Sequence, residues 1–372
     1  MNAQLIDWAP VLRMALLGSA IALGPLSWLW LRHRGASPES RLRRLHALTV
    51  LTLFLTFDLV LFGAFTRLSD SGLGCPDWPG CYGSASPLGA HTEIVAAQSA
   101  LPSGPVTQGK AWVEMLHRYL ATAVGALIAA MAAMAWWLRR QLAPAPSPWW
   151  ATLTLGWVIA QGAFGALTVT MKLYPAIVSL HLLGGLGLLA LLAVQDRAFA
   201  PRALPLPRGV RRGAWAVAAL ALLQAALGAW VSTNYAVLAC SDFPTCQGQW
   251  WPAMDYAHAF TLRRELGSTA AGEFLPFAAL TAIHFTHRVV ALAVLAAMGL
   301  LAWRLHAAGG AAARRFARAI ALLALWQLAS GLSNVVLGWP IVAALAHTGG
   351  AALLAIVLSS LLARVSMSPQ RP

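Results

Sequence analysis

Cys75-Pro-Asp-Trp-Pro-Gly-Cys81 returns later in the chain as Cys240-Ser-Asp-Phe-Pro-Thr-Cys246, displaced by 165 residues at both cysteines. Nearly the same displacement carries Gly63-Ala64 to Gly228-Ala229 (165) and Gln161-x-Ala163-x-Gly165 to Gln327-x-Ala329-x-Gly331 (166). It also carries His117-Arg118 to His287-Arg288 (170) and His181 to His347 (166). Six correspondences in one order mark an internal duplication, and the fold follows from what fills the intervals between them.

Those intervals are apolar. Of 372 residues, 59% are hydrophobic and only 10% charged, where a soluble domain carries charge on about a quarter of its positions. Runs of about 20 apolar residues recur between short polar breaks, long enough to cross roughly 30 Å of hydrocarbon at about 1.5 Å per residue. They lack the alternation of barrel strands, so helices must make the crossings. The pattern predicts nine spans, at 11–31, 46–66, 112–137, 149–171, 174–195, 213–233, 276–303, 316–338 and 340–363. The first run contains Arg13 and lacks a cleavage site followed by a soluble domain, which predicts a retained helix in place of a signal peptide.

The expected class is therefore an all-α polytopic membrane protein: two pseudo-symmetric four-helix bundles and one extra N-terminal span. The expected division is 1–45 (extra helix and linker), 46–197 (first bundle), 198–212 (linker) and 213–372 (second bundle and tail). Each repeat holds an even number of crossings, so both keep one orientation about an axis along the membrane normal. The first helix has no partner in the repeat and is expected to be peripheral and dispensable for chemistry.

The net charge of +14 does not form the basic stripe of a nucleic-acid binder. Arginines instead follow alternate spans: Arg32, Arg34, Arg41, Arg43 and Arg44; Arg139 and Arg140; Arg197, Arg202, Arg208, Arg211 and Arg212; Arg304, Arg314 and Arg315. Loops so marked belong in the cytoplasm, which puts the N-terminus outside and the C-terminus, with Arg364 and Arg371, inside. Trp136, Trp137, Trp149, Trp150, Trp250, Trp251, Trp303 and Trp339 fall at span ends, as interfacial anchors.

Four histidines carry the repeat. His117 and His287 lie on the second span of each half, His181 and His347 on the fourth, and all enter from the outer side to a similar level. Ionisable groups inside a bilayer face the bundle interior and mark function. A haem iron with two axial imidazoles needs one histidine on each of two facing helices, and a helical bundle supplies that geometry. Gly184 and Gly350, three residues after His181 and His347, are expected to leave room for a porphyrin edge. Arg118 and Arg288 follow their histidines and are placed to meet haem propionates. His33, His46, His306, His91 and His258 read as solvated.

Glu114 precedes His117 by three residues and shares its helix face, whereas the second half has His284 there. It reads as a catalytic carboxylate beside one iron site, or as an interfacial acid paired with Arg118. Asp58 suits either a proton path or a bond to a neighbouring Thr. The four cysteines fall in the two outer loops, where an oxidising compartment permits one disulfide each, Cys75 with Cys81 and Cys240 with Cys246. Structural bridges are favoured over a redox-active pair.

Phe65-Thr-Arg-Leu-Ser-Asp-Ser-Gly-Leu-Gly-Cys-Pro-Asp-Trp-Pro-Gly-Cys81, Glu114-Met-Leu-His117-Arg118, His181, His284-Phe-Thr-His287-Arg288 and His347 together resemble the haem A synthase family, over about 46–363. The resemblance implies two four-helix bundles and two successive oxidations of a haem O ring methyl to the formyl group of haem A. It implies that His117 and His181 hold the substrate haem with Glu114 as catalytic carboxylate, while His287 and His347 ligate a haem b. Implied partners are haem O synthase, a farnesyltransferase, and oxidase-assembly proteins, in a bacterial cell membrane. The oligomeric state stays open. Four histidines alone also suit a dihaem b-type electron-transfer protein, and a haem carrier is a further alternative; Glu114 and the motifs favour the enzyme.

Overall fold

The computed structural model describes residues 9–33, 35, 37–141, 146–199 and 202–366. Arg34 and Arg371, used above for orientation, lie outside the described residues. In chain order the helices are α1 (Ala9–Arg32), α2 (Pro38–Leu68), α3 (His91–Ala100), α4 (Gln108–Arg139), α5 (Pro148–Thr170), α6 (Pro175–Phe199), α7 (Arg208–Thr233), α8 (Tyr256–Ala259), α9 (Phe277–Ala307), α10 (Ala311–Val336) and α11 (Ile341–Ser366). Nine of the described helices are long and apolar enough to cross a membrane, and they match the nine expected spans. The protein is a multi-span, all-helical membrane protein.

Helices outrun the apolar runs because caps, not hydropathy, set their ends. Ser37 accepts the Ser40 N–H at 3.2 Å with Pro38 opening the first turn, so α2 starts well before its apolar stretch. Thr107 caps α4 in the same way, accepting from the Lys110 N–H at 3.2 Å. The ten-residue α3 in the first long loop was not legible as a span, being too short to cross. Trp149, Trp250, Trp251 and Trp303 are well exposed, as interfacial anchors should be.

The chain divides into two compact units, 1–173 and 174–372. In the first unit α4 is the organising helix: α1, α2, α3 and α5 all pack against it. The expectation that α1 is peripheral gives way here. Met14, Gly18 and Ala22, spaced four apart on one face, are buried, and a Cβ on Gly18 would come within 2.9 Å of the Thr122 main chain. Met14 joins the buried cluster of Ile94, Met115, Tyr119 and the Cys75–Cys81 pair. A small-residue stripe lets α1 approach the α4 backbone, as between membrane helices generally.

In the second unit α7, α9, α10 and α11 close a four-helix ring, each packing on its two neighbours. Met298, Leu301, Leu305, Ile320, Leu358 and Leu361 form its core toward the arginine-rich end. α6 adds to this ring, against α7 and α11, with Ser179 Oγ 3.0 Å from Thr233 Oγ1. By contacts, then, α6 groups with the second unit, whereas the repeat in the sequence assigns it to the first bundle.

Candidate functional site

Each long loop carries the same small structure near its start. Cys75 bonds to Cys81 and Cys240 to Cys246, with Cα–Cα distances of 4.9 and 4.7 Å. A two-residue turn follows, closed by Cys81–Ser84 and Cys246–Gln249 backbone pairs at 2.8 to 3.1 Å. Its residues, Tyr82-Gly83 and Gln247-Gly248, all have positive φ, the requirement that places glycine second. Asp77 and Asp242, matched by the repeat, hold these turns: Asp77 accepts the N–H groups of Tyr82 and Gly83 at 2.6 and 2.7 Å, and Asp242 those of Gln247 and Gly248 at 2.6 and 3.0 Å. Neither aspartate stood out in the sequence, although both occupy the third place of the duplicated motif. The Thr245 hydroxyl, then the Gly248 N–H, keep the Asp242 carboxyl below its ordinary range.

The guanidinia of Arg118 and Arg288 staple these loops to the helices below. Arg118 donates to the carbonyls of Asp77 (3.0 Å) and Pro79 (3.2 Å), and to Glu114. Arg288 donates to the carbonyls of Asp242 (2.8 Å), Thr245 (3.1 Å) and Cys240 (2.7 Å). The arginines expected to meet haem propionates thus also hold the loops: a turn with inward carbonyls offers several acceptors at once to a guanidinium fork.

Glu114 is 4% exposed, with one oxygen on Arg118 and the other accepting the Cys75 N–H at 2.8 Å. The pairing with Arg118 offered by the sequence is present, and it lies beneath the lid. His284 occupies the matching position in the second half, its Nδ1 3.4 Å from the Cys240 nitrogen. Asp58 is exposed on α2, and the nearby Thr56 hydroxyl bonds to the Thr52 carbonyl, so no Thr bond explains that acid. His91, His258 and His306 are exposed, with His258 held 2.6 Å from Asp255.

One helical stretch inward from each loop lie the repeat histidines. They sit about 13 to 15 Å (His117, His287) and about 9 Å (His181, His347) from the starts of α4, α9, α6 and α11 by helical rise. Beneath them the structure shows what sequence reading missed. A Cβ on Gly63 would fall 2.9 Å from the His117 ring, on Gly228 3.0 Å from His287, and on Gly331 3.2 Å from His347. The duplicated glycines, used above only to set the repeat, are seats for the duplicated imidazoles. Gly350 has another role than expected: a Cβ there would meet Trp326 at 2.5 Å and Gln327 at 2.9 Å, so it lets α10 approach α11.

In the second unit His287 on α9 and His347 on α11 each have a polar neighbour. Gln224 Nε2 lies 3.1 Å from His287 Nδ1 and donates to the His287 carbonyl at 3.1 Å. Ser330 Oγ lies 3.0 Å from His347 Nδ1, and Gln327 donates to the His347 carbonyl at 3.1 Å. Ser330 Oγ, whose own proton goes to the Trp326 carbonyl at 2.7 Å, can accept from His347 Nδ1–H, which leaves Nε2 of that ring for a metal. The Gln224 amide nitrogen, by contrast, also lies 3.3 Å from His287 Nε2 and fixes no tautomer there. Two imidazoles on separate helices, each seated on a glycine, fit the axial needs of a haem iron. In the first unit His117 stacks on Phe62 at 6.2 Å. His181, on α6, lies in the second unit, so its pairing with His117 rests on the repeat.

The fold and site define a duplicated helical membrane protein with matched histidine stations beneath disulfide-closed lids. Residues 46–359 match the family model described as cytochrome oxidase assembly protein (COX15-CtaA). The chain belongs to that family. It is 38% identical over 316 residues to a protein of Shewanella oneidensis named heme A synthase, covering 83% of this chain and 92% of that one. Proteins of the same name from Methylobacterium sp. (30% over 354 residues, 88% and 93% covered) and Rhizorhabdus wittichii (29% over 351 residues, 87% and 95% covered) are similar along nearly their whole length. α1 lies outside the family match.

Proposed function

We propose that this protein is a haem A synthase: an oxidoreductase that converts a ring methyl of haem O to a formyl group by two successive hydroxylations, yielding haem A for terminal oxidases. The reading is supported by the family, by relatives so named, and above all by one observation, the buried Glu114 in the half that the repeat pairs with His284 in the other.

In this reading His287 and His347 hold a haem b, which when bound supplies one-electron redox chemistry. Their counterparts His117 and His181 hold the substrate haem O, an assignment carried by the repeat. Glu114 keeps a free lone pair on each oxygen beyond its bonds to Arg118 and Cys75, so it can take a proton from a water or hydroxyl while Arg118 offsets the charge. The disulfide lid, fixed by Arg118 above His117, limits solvent access to that carboxylate. The protein would sit in a bacterial cell membrane with its N-terminus outside and C-terminus in the cytoplasm. A haem O synthase supplies its substrate, and oxidase-assembly proteins take its product.

The test is mass analysis of extracted haems from cells and purified protein carrying Glu114→Ala. Haem O accumulates, haem A disappears, and the bis-histidine absorption persists if the proposal holds. Undiminished haem A with Glu114→Ala would favour the electron-relay reading.

A further inference from the structure

At the end of the second unit opposite its disulfide lid, α6, α10, α11 and Arg202 line an open cavity of about 400 Å³. Its wall has two characters. Arg197, Arg202, Arg315 and Arg364 line it together with Ala312, Phe316, Ala319 and Val357. On α10 the apolar three are spaced four and three apart, one helical face running from the basic rim toward the span's interior.

Four guanidinia, those of Arg197, Arg202, Arg315 and Arg364, share this one cavity wall. One carboxylate, Asp196, is paired with Arg197. Backbone architecture holds the cluster in place, since the Arg364 Nε–H donates to the Arg202 carbonyl at 2.8 Å and the Leu204 N–H to the Arg364 carbonyl at 3.0 Å. Arg364 also lies over the Phe316 ring at 5.8 Å, while the Nε of Arg197 is buried with no protein partner. Like charges brought together at low dielectric repel, so the fold stabilises a cluster that calls for an anion, and the apolar face beside it calls for a chain.

We propose that this cavity binds the headgroup of an acidic phospholipid, with Arg202, Arg315 and Arg364 on the phosphate and the face of Ala312, Phe316 and Ala319 along the upper acyl chain. Basic pockets between membrane helices at the arginine-rich side recognise such lipids through charge, each arginine near the surface strengthening binding about fivefold. The site is separate from the histidine stations and does not depend on the reaction assigned to them.

Native mass spectrometry of the full protein in neutral detergent, titrated with phosphatidylglycerol or phosphatidylcholine, tests the proposal. Arg315→Gln and Arg202→Gln suit it because both side chains are exposed and their loss leaves the core intact. Phosphatidylglycerol binds and phosphatidylcholine does not; each substitution weakens binding about fivefold and the pair about 25-fold. Millimolar inorganic phosphate leaves the lipid bound. Equal binding of both lipids, an unweakened double variant, or displacement of the lipid by inorganic phosphate would each overturn it, the last by showing a site for free anions. Thermal unfolding of both variants without lipid, expected within a few degrees of the parent, separates weakened binding from misfolding.

Discussion

The two halves of the chain share their lids and differ just beneath them. Each lid has its disulfide, an aspartate holding a glycine turn, and an arginine donating to loop carbonyls. Under the first lid the N–H of Cys75 meets a carboxylate, Glu114; under the second, the corresponding N–H faces His284. A second difference lies around the histidines. Gln224 and Ser330 approach the Nδ1 atoms of His287 and His347, while the repeat puts Leu59 and Phe164 at the matching places. In the second half polar side chains thus stand beside both imidazoles, and at the matching places of the first half the side chains are apolar. Duplication supplied matched histidine positions, and a few substitutions made their surroundings differ.

Breaking that asymmetry at its chemical centre should have the largest effect. Glu114→Ala is expected to lower haem A formation at least 100-fold, whereas His284→Ala, at the equivalent place, should leave it within a few fold; turnover of reconstituted haem O by both variants is the comparison. Next come the seats. Gly228→Leu pushes a side chain into the His287 ring and should abolish low-spin haem in the second half alone, with Gly63→Leu doing the same at His117, read by absorption and haem content. Ser330→Ala, which removes only the orienting bond, should weaken haem retention about tenfold and shift that haem's midpoint potential, and Ser330→Thr should restore both. A further difference is α1, which only the first half has: Gly18→Leu should destabilise by about 1–3 kcal/mol, seen as a lowered unfolding temperature without altered haem spectra.

The smallest effect concerns acid. The carboxyl of Asp242 is held below its ordinary value, first by Thr245 and then by the Gly248 N–H. Its contribution is therefore complete above about pH 3.9, the unfolded value, and is lost as pH falls through the lower native one. Hydrogen exchange at the Gln247 and Gly248 amides should accelerate in that window, and Asp242→Asn should remove the transition.

Much of this was legible in the residues. Nine spans stand out because apolar runs of membrane length have few other uses, and the duplicated cysteines and histidines fix which positions correspond. Glycine seats were visible as repeats but not as seats, because which helix face meets a neighbour depends on packing that periodicity alone does not set. Arg118 and Arg288 were legible as charged residues near the site, and the Glu114 pairing of Arg118 with them, yet their other partners are main-chain carbonyls, which carry no side-chain signature. The close fit of α1 was hidden because its small residues, Gly18 and Ala22, look the same on a lipid-facing helix as on a packed one. Short helices such as α3 lie below the length at which hydropathy speaks.

The central claim is that two porphyrins are each gripped by a pair of repeat-matched imidazoles. Low-temperature electron paramagnetic resonance of the oxidised, haem-loaded protein, with and without His347→Ala, tests it most directly. The account predicts two low-spin ferric signals in the parent, of which the substitution removes one and spares the other. A single signal, none at all, or a spectrum untouched by His347→Ala would contradict it.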